Sequence, residues 1–310
     1  MILTDRGEVP VQDLTIGEKV ITVSGMAKPI IWIGSGQVSV SPARRCAATP
    51  VIVRKGALAD NVPHRDLRIT KAHALFIAGV LIPADCLVNY RSIQWDDQIG
   101  HVRFFHIELA DHDVLYADGA PAETYRDDGN RDQFQNRNAD WSQPPKPSCA
   151  DVLTGGPIVD AVWRQLLDRA GPRPGLRLTD DADLHLLVDG KRVDGTSRRN
   201  GDYEFDLPVQ PGEVRVMSRA GSPAELGLGR DSRLLGVCLR HVAVSGGRQI
   251  RMLDASDDAL TEGFHAFEPD RGQRWTDGDA KLPDGLFQDA DGHMQLVLSV
   301  CGVLQYPLFG

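Results

Sequence analysis

Along most of the chain, Val, Ile and Leu fall in short runs bounded by Gly, Asp, Asn or Pro. That texture belongs to many short strands rather than to helices. From residue 1 to about 137 the runs predict strands at Val9–Val11, Lys19–Val23, Pro29–Ile33, Pro50–Val53, Arg68–Ile69, Leu75–Ile77, Val80–Ile82, Val102–Leu109 and Asp113–Tyr116. Arg6-Gly7, Ser24-Gly25 and Ala78-Gly79 supply turns between them. No helical stretch separates the runs, so a parallel βαβ arrangement is excluded here.

The pattern changes at residues 138–150, where Pro144, Pro145 and Pro147 favour a stiff, extended spacer between domains. Just beyond it, Ile158, Val159, Val162, Trp163, Leu166 and Leu167 recur at helical spacing, predicting a helix over Pro157–Ala170 that stops before Gly171-Pro172. Strand texture then returns. Leu184–Val188 ahead of Asp189-Gly190 is a hairpin signal, and further strands are expected at Tyr203–Leu207, Glu213–Ser218, Leu235–Val244, Arg248–Leu253 and Gln295–Val303. No fixed-period repeat is present. The expectation is a mainly β protein: an all-β domain over 1–137, a linker over 138–150, and one helix followed by a β-sandwich-like domain over 151–310.

Composition narrows the function classes. A chain of 310 residues with 42% hydrophobic content can bury the cores of about two soluble domains. The net charge of −9, with no dominant Lys/Arg cluster and with Arg44-Arg45 and Arg198-Arg199 no more than pairs, argues against a nucleic-acid partner held by phosphate neutralisation. No apolar run reaches the roughly 18 residues of a membrane span. Asp5, Glu8, Asp13 and Glu18 interrupt the first twenty residues, which therefore do not read as a secretion signal. Cytoplasmic location is the expectation, with an exported or surface protein as the alternative. The five cysteines, at 46, 86, 149, 238 and 301, form no C-x-x-C pair and have no metal-ligand spacing. They read as free thiols, and no metal or cofactor is expected.

Three blocks carry a family resemblance. The opening runs Ile2-Leu3-Thr4-Asp5-Arg6-Gly7-Glu8-Val9-Pro10-Val11-Gln12-Asp13-Leu14 and continues to Gly17-Glu18-Lys19-Val20. A second block contains Thr70-Lys71-Ala72-His73, followed by Gly79-Val80-Leu81-Ile82-Pro83. The third runs from Phe105-His106 through Asp111-His112-Asp113 to Asp118-Gly119 and ends Ala120-Pro121-Ala122-Glu123-Thr124-Tyr125. In this order they resemble the conserved blocks of the Hedgehog/intein (Hint) family, in the variant found in bacterial proteins. The resemblance implies an all-β, horseshoe-shaped self-cleavage domain that acts on an upstream polypeptide in cis.

In that family the first block opens with a cysteine joined to the first strand by a short Gly-Thr segment, whereas this chain begins at Met1, inside the strand. The expected position of the nucleophile therefore lies upstream of Met1. The family reaction is an N-to-S acyl shift, in which a thiolate attacks the preceding carbonyl and exchanges an amide for a thioester. The amide must be polarised and the departing amine protonated. The resemblance gives these tasks to the Thr70 hydroxyl and the His73 imidazole, with His112 and Asp111 as further candidates for a base or a water-orienting group. Splicing also needs a terminal His-Asn pair. Here the late block runs into Glu123-Thr124-Tyr125, so N-terminal cleavage is the most that is expected, and none from this sequence without the cysteine. His106 reads as a packing residue.

The second half, notably Val216–Arg219, Asp231–Val237 and Arg274–Ala280, resembles a domain that follows Hint in such proteins. Related segments accompany some glycosyltransferases. Trp275, with Asp277 and Asp279, could stack on and hydrogen-bond a glycan; a core Trp beside an Asp-Gly turn is the plainer alternative. Asp277-Gly-Asp279 and Asp289-Ala-Asp291-Gly292 lack the downstream bidentate Glu of a calcium loop. The alternative function is thus a non-catalytic Hint scaffold joined to a domain that binds a glycan or a surface protein. A conventional turnover enzyme has no motif in its favour.

Overall fold

The short apolar runs become strands because alternate positions find a core to face. The computed structural model describes every residue except 41–44, 47, 137–145, 199, 209–210, 247–248, 289–292 and 309–310. The N-terminal part of the linker, Arg44, Arg199 and the 289–292 segment therefore lie outside the described residues. In the first half, β1 (Ile2–Thr4), β2 (Gly7–Val9), β3 (Lys19–Ile21), β4 (Ala27–Ser39), β5 (Pro50–Val53), β6 (Leu67–Thr70), β7 (Ala74–Ile77), β8 (Val80–Pro83), β9 (Ile93–Trp95), β10 (His101–Leu109), β11 (Val114–Ala117) and β12 (Ala120–Glu123) follow in order.

These strands form a nine-stranded sheet ordered β10-β4-β3-β1-β11-β12-β7-β8, with β2 on β1, and a three-stranded sheet ordered β6-β5-β9. All the named pairings are antiparallel. The two sheets share a core containing Val20, Ile30, Val51, Val53, Leu75, Ile82, Ile93 and Leu109. The β11–β12 hairpin turns at Asp118-Gly119, with φ of 49° and 82°. Positive φ at both central residues matches the twist of the flanking strands and suits an Asp-Gly pair. This turn sets the register that brings Glu123, at the end of β12, back towards β7 through Ala122↔Leu75.

Helix α1 (Pro157–Ala170) forms where its apolar spacing predicts it, with Pro at its first turn and Gly171 closing its end. Its place differs from the expectation. The sequence groups α1 with the second domain, but Val159, Val162 and Leu166 complete the core of the first half. The Trp163 indole N–H donates to Val88 O at 2.8 Å from a fully buried position. Ahead of the helix, Val152 bridges Leu81 in parallel, and the Leu153 N–H donates to Leu81 O. That pairing covers the free edge of β8, which would otherwise leave backbone groups unpaired. The compact units accordingly divide at Arg173/Pro174.

The second unit contains β13 (Leu178–Thr179), β14 (His185–Val188), β15 (Lys191–Asp194), β16 (Thr196–Ser197), β17 (Asp202–Leu207), β18 (Val214–Met217), the short helix α2 (Pro223–Leu226), β19 (Cys238–Gly246), β20 (Gln249–Asp254), β21 (Arg274–Trp275), β22 (Asp279–Lys281), β23 (Met294–Gly302) and β24 (Tyr306–Pro307). A four-stranded sheet runs β15-β14-β18-β22; a six-stranded one runs β16-β17-β23-β19-β20, with β21 on β19. Leu186 and Val216 from the first sheet pack in one core with Phe205, Val242 and Leu296 from the second. The expected hairpin at Asp189-Gly190 joins β14 to β15, closing on Val188↔Lys191.

Because Trp163 is both buried and hydrogen-bonded, Trp163→Ala is expected to destabilise the first unit by about 3–5 kcal/mol. The midpoint of its urea transition, followed by circular dichroism, measures this. A loss under about 0.5 kcal/mol, the range typical of exposed positions, would mean that the helix is peripheral.

Candidate functional site

The second sequence block folds into a tight connection between two strands of different sheets. β6 ends at Thr70, the His73 N–H donates to Thr70 O at 3.0 Å, and β7 begins at Ala74. The segment after β8 holds the loop from outside: the Ala84 N–H donates to His73 O and the Asp85 N–H to Lys71 O, both at 3.0 Å. The loop is thereby held by backbone bonds on both sides. The i, i+3 spacing then brings the Thr70 and His73 side chains to one place.

Glu123 fixes the orientation of His73. His73 Nε2 lies 2.9 Å from the Glu123 carbonyl oxygen, which can only accept, so the ring donates from Nε2. Its Nδ1 is left as the nitrogen available for proton transfer. The Glu123 carboxylate reaches the same loop, accepting the Ala74 N–H at 2.7 Å on Oε1. Its other oxygen lies 3.5 Å from Nε2 of His112, whose side chain is fully buried. Nδ1 of His112 accepts the Cys149 N–H at 3.1 Å, which puts the ring proton on Nε2, facing the carboxylate. That contact is long, and Nε2 has no other hydrogen-bond partner among the described residues. Burial pushes the Glu123 carboxyl up, but His112, the His73 ring and the Ala74 N–H together outweigh it and hold the group below the ordinary carboxylate range.

His106, on β10, packs against His73 with ring centroids 5.2 Å apart and the rings tilted by 44°. Its other ring neighbours are Phe104, Tyr125 and Phe134. Glycines make room for this cluster: a Cβ at Gly34 would stand 2.3 Å from the Trp32 ring, and one at Gly36 would stand 2.2 Å from the Phe104 ring. Burial first, and then the neighbouring His73, push the His106 imidazole down to about 3, against a smaller upward pull from Glu123. It is therefore uncharged at neutral pH.

Two cavities meet at these groups. One, of about 250 Å³, is lined by Met1, Thr70, His73, His106, Asp118 and Glu123 together with apolar side chains from β1, β6, β10 and β11. The other, of about 220 Å³, opens on the far side of Thr70, His73, His106 and Glu123 towards Tyr125 and Val152. At the Met1 end, the amino group donates to Asp118 Oδ1 at 3.0 Å, and Arg65 Nε lies 3.2 Å from the same oxygen.

The candidates named from sequence thus fall in different places. Thr70 and His73 share both cavities. Asp111 is exposed and lines neither; His112 lies behind Glu123 rather than on the cavity wall. The sequence reading missed Glu123 and took His106 for packing. The signal for His106 was its alternation with Phe104 on one face of β10; for Glu123 it was the place of Ala120–Glu123 as a strand returning from a hairpin. In the second unit, Trp275, Asp277 and Asp279 alternate along one segment. Asp279 accepts Arg215 Nε at 2.5 Å, and Asp277 Oδ1 accepts the Asp279 N–H at 3.0 Å. Both carboxylates are thus engaged in an ion pair and a turn.

The His106 environment carries a sign for acid stability. Its folded pKa of about 3 lies below the ordinary 6.5, so between those values the unfolded chain holds the extra proton. The contribution is complete above pH 6.5 and is lost as pH falls towards 3, and Glu123 adds a loss in the same direction below its ordinary 4.5. Urea unfolding of the first unit is expected to lose up to about 1.4 kcal/mol per pH unit from His106 on acidification below 6.5. His106→Phe is expected to flatten the slope between pH 6.5 and 4.5. A slope unchanged in that variant would place the titrating group elsewhere.

With this geometry established, the chain can be set beside known proteins. No curated protein matches it. Among solved structures, a variant of the MchDnaB-1 intein is similar at 11% identity, covering 40% of this chain and 95% of that one with a TM-score of 0.31. The MchDnaB-1 intein itself is similar at 11% identity over 39% of this chain and 93% of that one, with a TM-score of 0.29. The Hint domain model matches residues 1–129, a span holding both strands of the His73–Glu123 clamp, and this chain is a Hint-domain protein.

Proposed function

We propose that the Hint domain is a single-turnover self-cleavage device for a polypeptide joined upstream in cis. The observation that carries this is the shared cavity of Met1, Thr70 and His73, which brings a hydroxyl and an imidazole beside the amino-terminal strand. In an N-to-S acyl shift, a thiol gives its proton to His73 Nδ1 and its sulfur attacks the preceding carbonyl carbon. The carbon–nitrogen bond then breaks, and the proton on Nδ1 passes to the departing amine. His73 suits this relay because Nε2 is already committed to the Glu123 carbonyl. The Thr70 hydroxyl makes no hydrogen bond within the described residues that would withdraw it from a substrate amide; its role is to orient and polarise that amide.

On that reading the acyl shift requires a cysteine ahead of β1, at the family's nucleophile position. One-sided cleavage fits better than splicing. Glu123-Thr124-Tyr125 contains no asparagine to cyclise, and the downstream chain is tied back onto β8 through Leu81 and Leu153.

The test fuses a reporter polypeptide, a cysteine and a short Gly-Thr connection to the strand at Ile2, then adds dithiothreitol. Thiol-dependent release of the reporter is expected, with Thr70→Ala and His73→Ala each slowing it about a hundredfold, the scale of one lost transition-state donor. Release at an unchanged rate in His73→Ala would assign the proton transfer to another group. No release from the parent fusion would leave the domain as a scaffold for whatever the second unit binds.

A further inference from the structure

Two of the five cysteines, 63 positions apart in sequence, come together in the second unit. β19 and β23 pair with Cys238 opposite Gly302 and Leu239 opposite Val300, so Cys301 is an extra residue with no partner of its own. This is a bulge, and it changes which way the side chains face. Cys301 and Gly302 both oppose Cys238, and the Cys301 side chain comes onto the Cys238 side of the ladder instead of alternating away from it. The two sulfurs lie 3.4 Å apart, and Cys301 Sγ is also 3.4 Å from Cys238 O.

The surroundings favour pairing. Gly302 leaves open the space beside Cys238: a Cβ there would stand 3.4 Å from the Cys238 Cβ. On the opposite flank, β21 pairs Trp275 with Cys238, and the indole reaches to 3.7 Å from that same Gly302 position. Cys238 is fully buried beneath these groups, whereas Cys301 is only partly buried and has Gln273 Oε1 at 3.8 Å. Cys301 is thus the less shielded of the two thiols.

We propose that Cys238 and Cys301 form a redox-active dithiol that a hydroperoxide converts to a disulfide, latching the central strands β19 and β23 together. Cys301 is the reacting thiol. Its sulfur attacks the peroxide oxygen, the O–O bond breaks, and an alcohol or water leaves with the thiol proton, giving a sulfenic acid. Cys238 sulfur then attacks Cys301 sulfur; the S–S bond forms, the S–O bond breaks, and water departs with the Cys238 proton. The peroxide is reduced by two electrons and the thiol pair is oxidised by two. Burial pushes the Cys238 thiol well up, which disfavours its own direct reaction with peroxide. The oxidised form is the one an oxidising compartment would hold, and the dithiol the one a reducing compartment would hold.

The full chain, reduced and then treated briefly with stoichiometric hydrogen peroxide, tests this. A mass loss of about 2 Da is expected, the two hydrogens that a dithiol surrenders, and dithiothreitol should reverse it. A non-reducing digest should contain one peptide pair joining Cys238 to Cys301, and the urea midpoint of the second unit should rise. Cys301→Ser should leave Cys238 fully alkylatable after the same treatment. The proposal is overturned if denaturing alkylation still labels both cysteines in the treated parent. It is equally overturned if Cys301 accumulates as sulfinic acid beside a free Cys238, or if the disulfide forms with no change in that midpoint.

Discussion

The candidate site depends on one residue that spans two strands, Glu123. Its carbonyl oxygen takes the His73 Nε2–H, and its carboxylate takes the N–H of the next residue, Ala74. A main-chain acceptor and a side-chain acceptor from the same position therefore grip the same loop. Neither bond would exist if β12 were shifted by one residue, because the period-2 pleat would turn the carboxylate to the opposite face. The register comes from the Asp118-Gly119 turn three positions beyond Leu115, so a turn remote from the imidazole decides which way the imidazole points. The carboxylate is held ionised, in spite of its burial, by the donors around it, His112 among them. A charge buried in this way is costly to strip of partners.

Much of the first domain was legible from the alternation of apolar and polar positions, because short antiparallel strands impose that pattern locally. The strands at Pro50–Val53, Val80–Pro83 and Val114–Ala117 lie within a residue or two of where the runs put them. Thr70 and His73 could be named because they belong to a local motif. Glu123 could not. It sits 50 positions from His73, and no one-dimensional period links a strand's last residue to a loop on another strand. His106 looked like packing for a sound reason, since it is packed among aromatic rings; what the pattern could not show was that His73 is one of its neighbours.

Helix α1 shows the opposite limit. Its existence and extent follow from spacing and from its Pro and Gly ends, but the partner for its apolar face is a tertiary choice. The prolines at 144, 145 and 147 suggested a boundary. Yet Lys146 bonds back to Glu108 and Leu109, and residues 151–153 join β8. Local stiffness marks where a helix cannot form; it does not mark where one hydrophobic core stops and another starts. The boundary fell later, at the point where the last helix covering the first core had ended.

The pairing of His73 with His106 bears on how the site could manage a proton. Two imidazolium rings with centroids 5.2 Å apart would repel by about 3 kcal/mol at an effective dielectric constant near 20. One buried carboxylate cannot offset both. The environment resolves this by keeping His106 neutral, through burial among Phe104, Tyr125 and Phe134. His73 is the ring that faces both cavities with its Nε2 already bonded. The aromatic cluster, which reads as ordinary packing along β4 and β10, thus also sets the charge state of a histidine beside the site. It excludes water from His106, and the glycines at 34 and 36 are what allow the rings to close that tightly.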